Sequence, residues 1–283
     1  MDRTKSFVIT KWASYILLSI TALIWLLPAV YAFTTSFKTQ SDVMQTGFRL
    51  LPASWVMDNY ARVLSNSSSA PIVRWFLNSV LISTTHTILM VIVVSLAAFG
   101  YARLDFKYRD TMFFTVLAIS MFPAVVNIIP NYMIVHRLGW VNTPLAVIVP
   151  GIAAVGNVFL VRQFMTGLPK SYDESARMDG ASDFTIYLKI IVPLIKPVLI
   201  VTSIFSFTGS WNDFLWPTIV LNDVRQLTIT AGMLLLQDIY GNYMMMGQLM
   251  ASAFLAMIPT SLLFLFAQKY FIESLNLNTG LKG

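Results

Sequence analysis

The chain has 283 residues, of which 57% are hydrophobic and only 11% charged. Soluble domains carry about 25% charged residues, so charge this sparse excludes an ordinary soluble globule and makes lipid the solvent for much of the surface. The net charge of +6 is spread along the chain rather than gathered into a run, which argues against a nucleic-acid partner, and the absence of Cys excludes disulfides, thiolate metal ligands and a Cys nucleophile.

Six apolar runs of about 20 residues or more predict an all-α integral membrane protein. They cover residues 12–34, 76–101, 111–134, 143–163, 197–220 and 247–270. The first follows Arg3, Lys5 and Lys11 and runs from Trp12 to Phe33, too long for a signal-peptide core, so it is read as a retained span. The alternating segments of a membrane barrel are absent from the pattern. Neither an internal repeat nor a low-complexity tract divides the chain, which is read as one transmembrane domain over 1–283.

Basic residues set the expected orientation. With the N-terminus inside, the outer loops hold only Lys38, Arg49, Arg62, Arg74, Arg137 and Arg225 of the 19 Lys and Arg residues. The rest fall in the inner segments 1–11, 102–110 and 164–196 and the tail after 268, with Arg162 assigned to the inside. This bias predicts both termini inside.

Several spans carry breakers and polar groups. The third contains Pro123, Asn127, Pro130 and Asn131. The fourth starts with Thr143 as cap and Pro144 in its first turn, then meets Pro150-Gly151 and Asn157. The fifth runs into Ser210-Trp211-Asn212-Asp213 and Trp216-Pro217, and the sixth contains Pro259. Breaks at membrane depth survive where protein or a water-filled cavity satisfies the freed backbone groups, and polar groups there mark a solute path or simply pack helices together. Asn127, Asn157, Trp211, Asn212 and Asp213 are the candidates for such a path. Asn212 lies on a helix rising roughly 22 Å from Pro197, in the outer part of a ~30 Å core. His86, alone in the second span, is read as an interhelical hydrogen bond rather than a proton relay.

The inner segment from Leu168 to Pro197 reads LPKSYDESARMDGASDFTIYLKIIVPLIKP. Ser171-Tyr172-Asp173-Glu174 fits a capping box, and Asp173 and Arg177 are spaced for an i,i+4 pair. Gly180 suits a left-handed turn, Ser182 caps a second short helix towards Ile191, and Pro193 closes it. The expectation is two short helices around a tight turn, lying parallel to the membrane. Ser175, Ala176, Gly180 and Ala181 are small enough for another backbone to approach, as a helix docking into a partner's groove requires. A self-contained loop fits the same residues.

Glu174-Ser175-Ala176, Gly180 and Ile190-Ile191-Val192-Pro193 resemble the EAA loop of ABC importer permeases, with Ser175 in place of the first Ala and Val192 in place of Leu. Asp179-Gly180-Ala181-Ser182 and Pro193-Leu194-Ile195-Lys196-Pro197 resemble its carbohydrate-uptake branch, in particular the second permease of maltose-type importers. Ala97 to Arg103, Met121-Phe122-Pro123, Trp211 to Pro217, Gln268 to Phe271 and Gly280 to Gly283 fit the same pattern in order, so the resemblance covers nearly the whole chain. It implies the type I importer permease fold and a coupling loop over 168–197, between helices four and five, that docks on a cytoplasmic ATPase. The docking residues it implies are Ser171, Glu174, Ser175, Ala176, Asp179, Gly180, Ala181 and Pro193. It further implies a homologous second permease, two ABC ATPase subunits that hold ATP and Mg, an extracytoplasmic solute-binding protein, a sugar substrate with glycerol phosphate and polyols left open, and a multi-pass location in the bacterial cytoplasmic membrane. Tyr240, Gly241 and Asn242, just before helix six, occupy the place of a loop that reaches into the binding protein in maltose-type relatives; an aromatic anchor in the headgroups fits them as well.

A membrane enzyme and a secondary transporter are the rival readings. The sequence offers no catalytic set and no metal site: HExxH and GxSxG are absent, and Gly151 and Gly156 have phosphate-loop spacing but are followed by Asn157-Val158 where Lys-Ser/Thr is required. No cofactor is expected in this chain. A secondary transporter usually carries a repeat, which is not seen.

Overall fold

The computed structural model describes residues 3–44, 49–65, 70–240 and 246–280, with side chains described over 11–44, 49–65, 70–234 and 246–268. Every regular element among the described residues is helical. In chain order these are α1 (Arg3–Ser36), α2 (Gln40–Val43), α3 (Asp58–Leu64), α4 (Ile72–Arg103), α5 (Arg109–Ser120) and, after a 3₁₀ turn at Ala124–Asn127, α6 (Ile128–Arg137). There follow α7 (Pro144–Ile148), α8 (Val155–Thr166), α9 (Ser171–Met178), α10 (Asp183–Ile186), a π-helical turn at Tyr187–Ile191, α11 (Val192–Leu194), α12 (Lys196–Asn212), α13 (Leu215–Val220), α14 (Ile229–Tyr240) and α15 (Met246–Gly280).

Three stretches are long and apolar enough to cross a membrane: Lys11–Ser36 in α1, all of α4, and Met246–Gln268 in α15. Two bent pairs raise the number to five if each is one span: Arg109–Ser120 with Ala124–Arg137, bent by 88°, and Asp183–Leu194 with Lys196–Asn212, bent by 79°. The first bend falls at Met121-Phe122-Pro123, where proline removes a helix hydrogen bond. The run at 143–163 is not the continuous helix expected. Pro150-Gly151 divides it into α7 and α8, although Thr143 and Pro144 do start α7. The run at 197–220 ends as a helix at Asn212 and restarts as α13, and the expected outer loop at 221–246 contains α14. Pro259 is carried inside α15 without ending it.

Contacts group the residues into two units, 1–73 with 233–258, and 74–232 with 259–283. In the first, Asn59 Nδ2 donates to the Ser36 and Lys38 carbonyls and Ser36 Oγ bonds the Tyr60 hydroxyl at 2.8 Å, closing the end of α1 with the polar partners a helix terminus needs. Phe33, Phe37, Trp55, Tyr60 and Phe254 form an aromatic cluster there. Further back, α1 exposes large apolar side chains such as Trp25 at 81% and Leu17 at 66%, as a lipid-facing helix does.

In the second unit, a closed core forms from Met90, Val94, Ala98 and Phe99 of α4, Phe113 of α5, Val158, Val161 and Met165 of α8, and Ile186, Tyr187, Ile191 and Ile195. The first turns of α4 are pinned to the segment before α14: Trp75 Nε1 donates to the Val224 carbonyl, and the Ile229 amide donates to Ser79 Oγ. Trp75 lies so close against Gly232 that a side chain there would overlap its ring.

Candidate functional site: the inner loop and the α4–α12 cavity

Two arrangements in the second unit bear on function. The first is the segment 168–195. Ser171 is not the cap expected of it: α9 begins at Ser171 with Lys170 in the cap position, and no side chain caps it. Asp173 is turned inward and pairs with Arg103 at 3.1 Å, while Arg177 bonds Asp183 at 3.0 Å, so the expected Asp173–Arg177 pair is replaced by two longer-range ones. Burial explains the exchange, because Arg103 offers Asp173 a partner shielded from water. Gly180 takes φ +80°, the left-handed turn expected of it, and Ser182 Oγ accepts the Thr185 amide at the start of α10. Pro193 does not close the second helix. It lies in the first turn of α11, and the bend comes at Ile195.

The segment has a buried and an exposed side. Ala176 packs into the core with Ile186, Tyr187 and Ile191, and the Tyr187 hydroxyl bonds Ser95 Oγ at 2.7 Å. Ala181 is half-buried against the same core. Ser171, Glu174, Ser175, Asp179, Gly180 and Pro193 are exposed, together with Tyr172, Phe184 and Met178, the last at 89%. The smallness of Ala176 is therefore used by the chain's own packing.

The second arrangement is an open cavity of about 600 Å3 walled by α4, α6, α8, α12 and the Asp213–Trp216 turn. Asn157, Asn212 and Asp213 line it, with Asn131, His86 and Trp216. Two path candidates are elsewhere. Trp211 is buried, with its ring stacked on Phe207 and edge-on to Phe76, and Asn127 is exposed on the 3₁₀ turn and does not line the cavity. His86 Nδ1 bonds the Ile148 carbonyl at 2.8 Å, the interhelical bond expected of it, and fills the group freed by the Pro150-Gly151 break. Gly151 is needed beside it: a Cβ there would meet His86 Cε1 at 2.7 Å. Trp216 Nε1 donates to the Ala146 carbonyl, and the Trp216 amide lies 3.4 Å from Asp213 Oδ1. Of Tyr240, Gly241 and Asn242, only the backbone of Tyr240, at the end of α14, lies among the described residues.

The family model of binding-protein-dependent transport system inner membrane components matches residues 95–276. The chain belongs to this family. It is 34% identical to the arabinooligosaccharides transport system permease protein of Halalkalibacterium halodurans, over 99% of this chain and 100% of that one. It is 31% identical to the trehalose/maltose transport system permease protein of Thermococcus litoralis, over 90% of this chain and 91% of that one. A chain in the crystal structure of a bacterial ABC transporter involved in the import of the acidic polysaccharide alginate shares the fold, with a TM-score of 0.82 over 96% of this chain and 99% of that one, at 23% identity. The resemblance to carbohydrate permeases drawn on the 168–197 motif is thus borne out.

For a transport component of this family, the residues that sequence spacing missed are as telling as those it found. Arg103 was visible only as the last residue of a family-like stretch. Nothing in the local pattern ties it to Asp173, 70 positions away. Asn131, His86 and Trp216 were visible as polar or aromatic groups in apolar runs, but their convergence depends on the breaks in the third, fourth and fifth runs.

Proposed function

We propose that this chain is a permease subunit of an ATP-driven importer that passes a sugar or oligosaccharide across the bacterial cytoplasmic membrane. Segment 168–195 carries this reading: its inner side is locked into the bundle core by Asp173, Ala176, Ile186 and Tyr187, while its outer side presents Glu174, Met178, Gly180 and Phe184 without covering them. A loop that is rigid towards the membrane and bare towards the other side suits a lever driven by a docked ATPase. Ser171, Ser175, Asp179 and Pro193 share its exposed side. ATP and Mg belong in this reading to the two ATPase subunits, and this chain performs no chemistry of its own. A homologous permease completes the pathway in this reading, and an extracytoplasmic binding protein delivers the solute; the family description supports the binding protein.

In the same reading all of 1–283 acts as one transmembrane domain with six crossings and both termini inside. The α7–α8 pair, broken at Pro150-Gly151, supplies the crossing that length alone does not count. The carbohydrate class is supported by the relatives that transport arabinooligosaccharides and trehalose or maltose. Tyr240, Gly241 and Asn242 are proposed to contact the binding protein.

Affinity purification of the tagged chain from its native membrane tests the proposal. An ABC ATPase and a second permease should co-purify, and reconstituted vesicles should take up oligosaccharide only with ATP and binding protein. Uptake driven by an ion gradient without an ATPase would make the chain a secondary transporter instead.

A further inference from the structure

We propose that the α4–α12 cavity is a subsite for an uncharged oligosaccharide and that Asp213 bars anionic sugars from it. The proposal rests on the importer reading and names the solute class that this subunit admits. Its volume of about 600 Å3 is that of a ligand cavity rather than a packing defect. Asn131 of α6, Asn157 of α8 and Asn212 of α12 bring three carboxamides to the one cavity. Each amide has both donors and an acceptor, matching hydroxyl groups that also do both. The ring of Trp216 supplies an apolar face for the C–H side of a sugar, held in place by its bond to the Ala146 carbonyl.

Charge decides the class. Asp213 is the one carboxylate among the described lining residues, and neither Lys nor Arg is among them. A carboxylate or phosphate on the solute would meet Asp213 in a partly dry cavity with His86 as the one basic group on its lining and no Lys or Arg to offset it, where like charges repel strongly. An uncharged sugar meets only hydrogen-bonding groups, and Asp213 itself accepts from its hydroxyls.

The Cys-free sequence allows a direct test. Gly209 lines the cavity, and a Cβ built there has nothing within 4 Å, so Gly209→Cys places a thiol on the wall without a clash. The assembled permease–ATPase complex, without binding protein, is labelled with a neutral maleimide and the band of this subunit is read. Arabinotriose or maltotriose should slow labelling, and trigalacturonate should not. In Asp213→Asn, which keeps an oxygen acceptor beside the Trp216 amide, trigalacturonate should protect at a concentration lower by about tenfold or more. Ser210→Cys serves as a second reporter if Gly209→Cys fails to assemble. Equal protection by both sugars in the parent, protection by neither neutral sugar, or an unchanged response in Asp213→Asn would overturn the subsite. ATP-driven uptake by the same preparation with binding protein added separates the two readings: uptake without protection sinks only the subsite, whereas failure of ATP-driven uptake sinks the importer reading.

Discussion

Arg103, the last residue of α4, and Asp173, in the first turn of α9, form an ion pair of 3.1 Å with side chains only 3% and 8% exposed. Arg103 also donates to the Met165 and Leu168 carbonyls at 2.7 and 3.0 Å. One guanidinium therefore gathers the ends of α4 and α8 and the start of α9. A force on α9 reaches two bundle helices through a single side chain.

Removing one partner from a buried pair leaves the other charge without compensation, at a cost of about 3–5 kcal/mol. Asp173→Ala should therefore lower the melting temperature of the detergent-solubilised protein far more than Asp183→Ala, which breaks the half-exposed pair with Arg177. The more conservative Asp173→Asn should fall between them. Equal melting temperatures for Asp173→Ala and Asp183→Ala would show that the buried pair carries no special weight.

Gly180 faces open space, with nothing within 4 Å of a built Cβ, so a side chain there clashes with nothing in this chain. Its φ of +80° still imposes a backbone penalty of about 1–2 kcal/mol on any L-residue. Gly180→Ala and Gly180→Leu share that penalty and differ in bulk. If the exposed turn docks into an ATPase, Gly180→Leu should lose ATPase retention on co-purification beyond whatever Gly180→Ala loses. Identical retention by the two variants would count against docking at this turn.

His86 and Gly151 should behave as one unit. His86→Ala removes the bond to the Ile148 carbonyl, worth about 1 kcal/mol, and Gly151→Ala drives the ring off the same acceptor. The losses in unfolding free energy should therefore be clearly less than additive in the double variant, a signature of residues sharing one interaction. Strict additivity would mean that the close approach of Gly151 does not position the ring.

What the sequence made legible followed from local chemistry. The left-handed turn at Gly180, the Ser182 cap and the Thr143-Pro144 helix start each depend on a few neighbouring residues. The Ser171 cap and the Asp173–Arg177 pair failed because a distant residue, Arg103, drew Asp173 inward and the helix started one residue earlier in its turn. Pro150-Gly151 was visible as a breaker at 143–163, but not that it would split the run into α7 and α8, with the freed Ile148 carbonyl satisfied by His86. Of the path candidates, Asn157, Asn212 and Asp213 line one cavity, but Trp211 turns into the core on Phe207 and Phe76. Helical periodicity is ambiguous here, because both a lipid-facing and a cavity-facing stripe can hold an aromatic residue.

The orientation can be tested with two methionines. The charge bias places 35–75 outside and 164–196 inside. Met57 and Met178 are 66% and 89% exposed and lie on these two segments, so replacement of either side chain removes little packing. With no native Cys, each single replacement carries the only thiol in the chain. In intact cells an impermeant maleimide should label Met57→Cys and leave Met178→Cys unlabelled until the membrane is opened. Burial against an ATPase would also hide Met178→Cys, so the labelling is repeated on opened membranes stripped of peripheral subunits with urea, where the thiol should react. Labelling of Met178→Cys from outside, or protection of Met57→Cys in intact cells with reaction only after opening, would reverse the topology and move segment 168–195 to the wrong side for an ATPase.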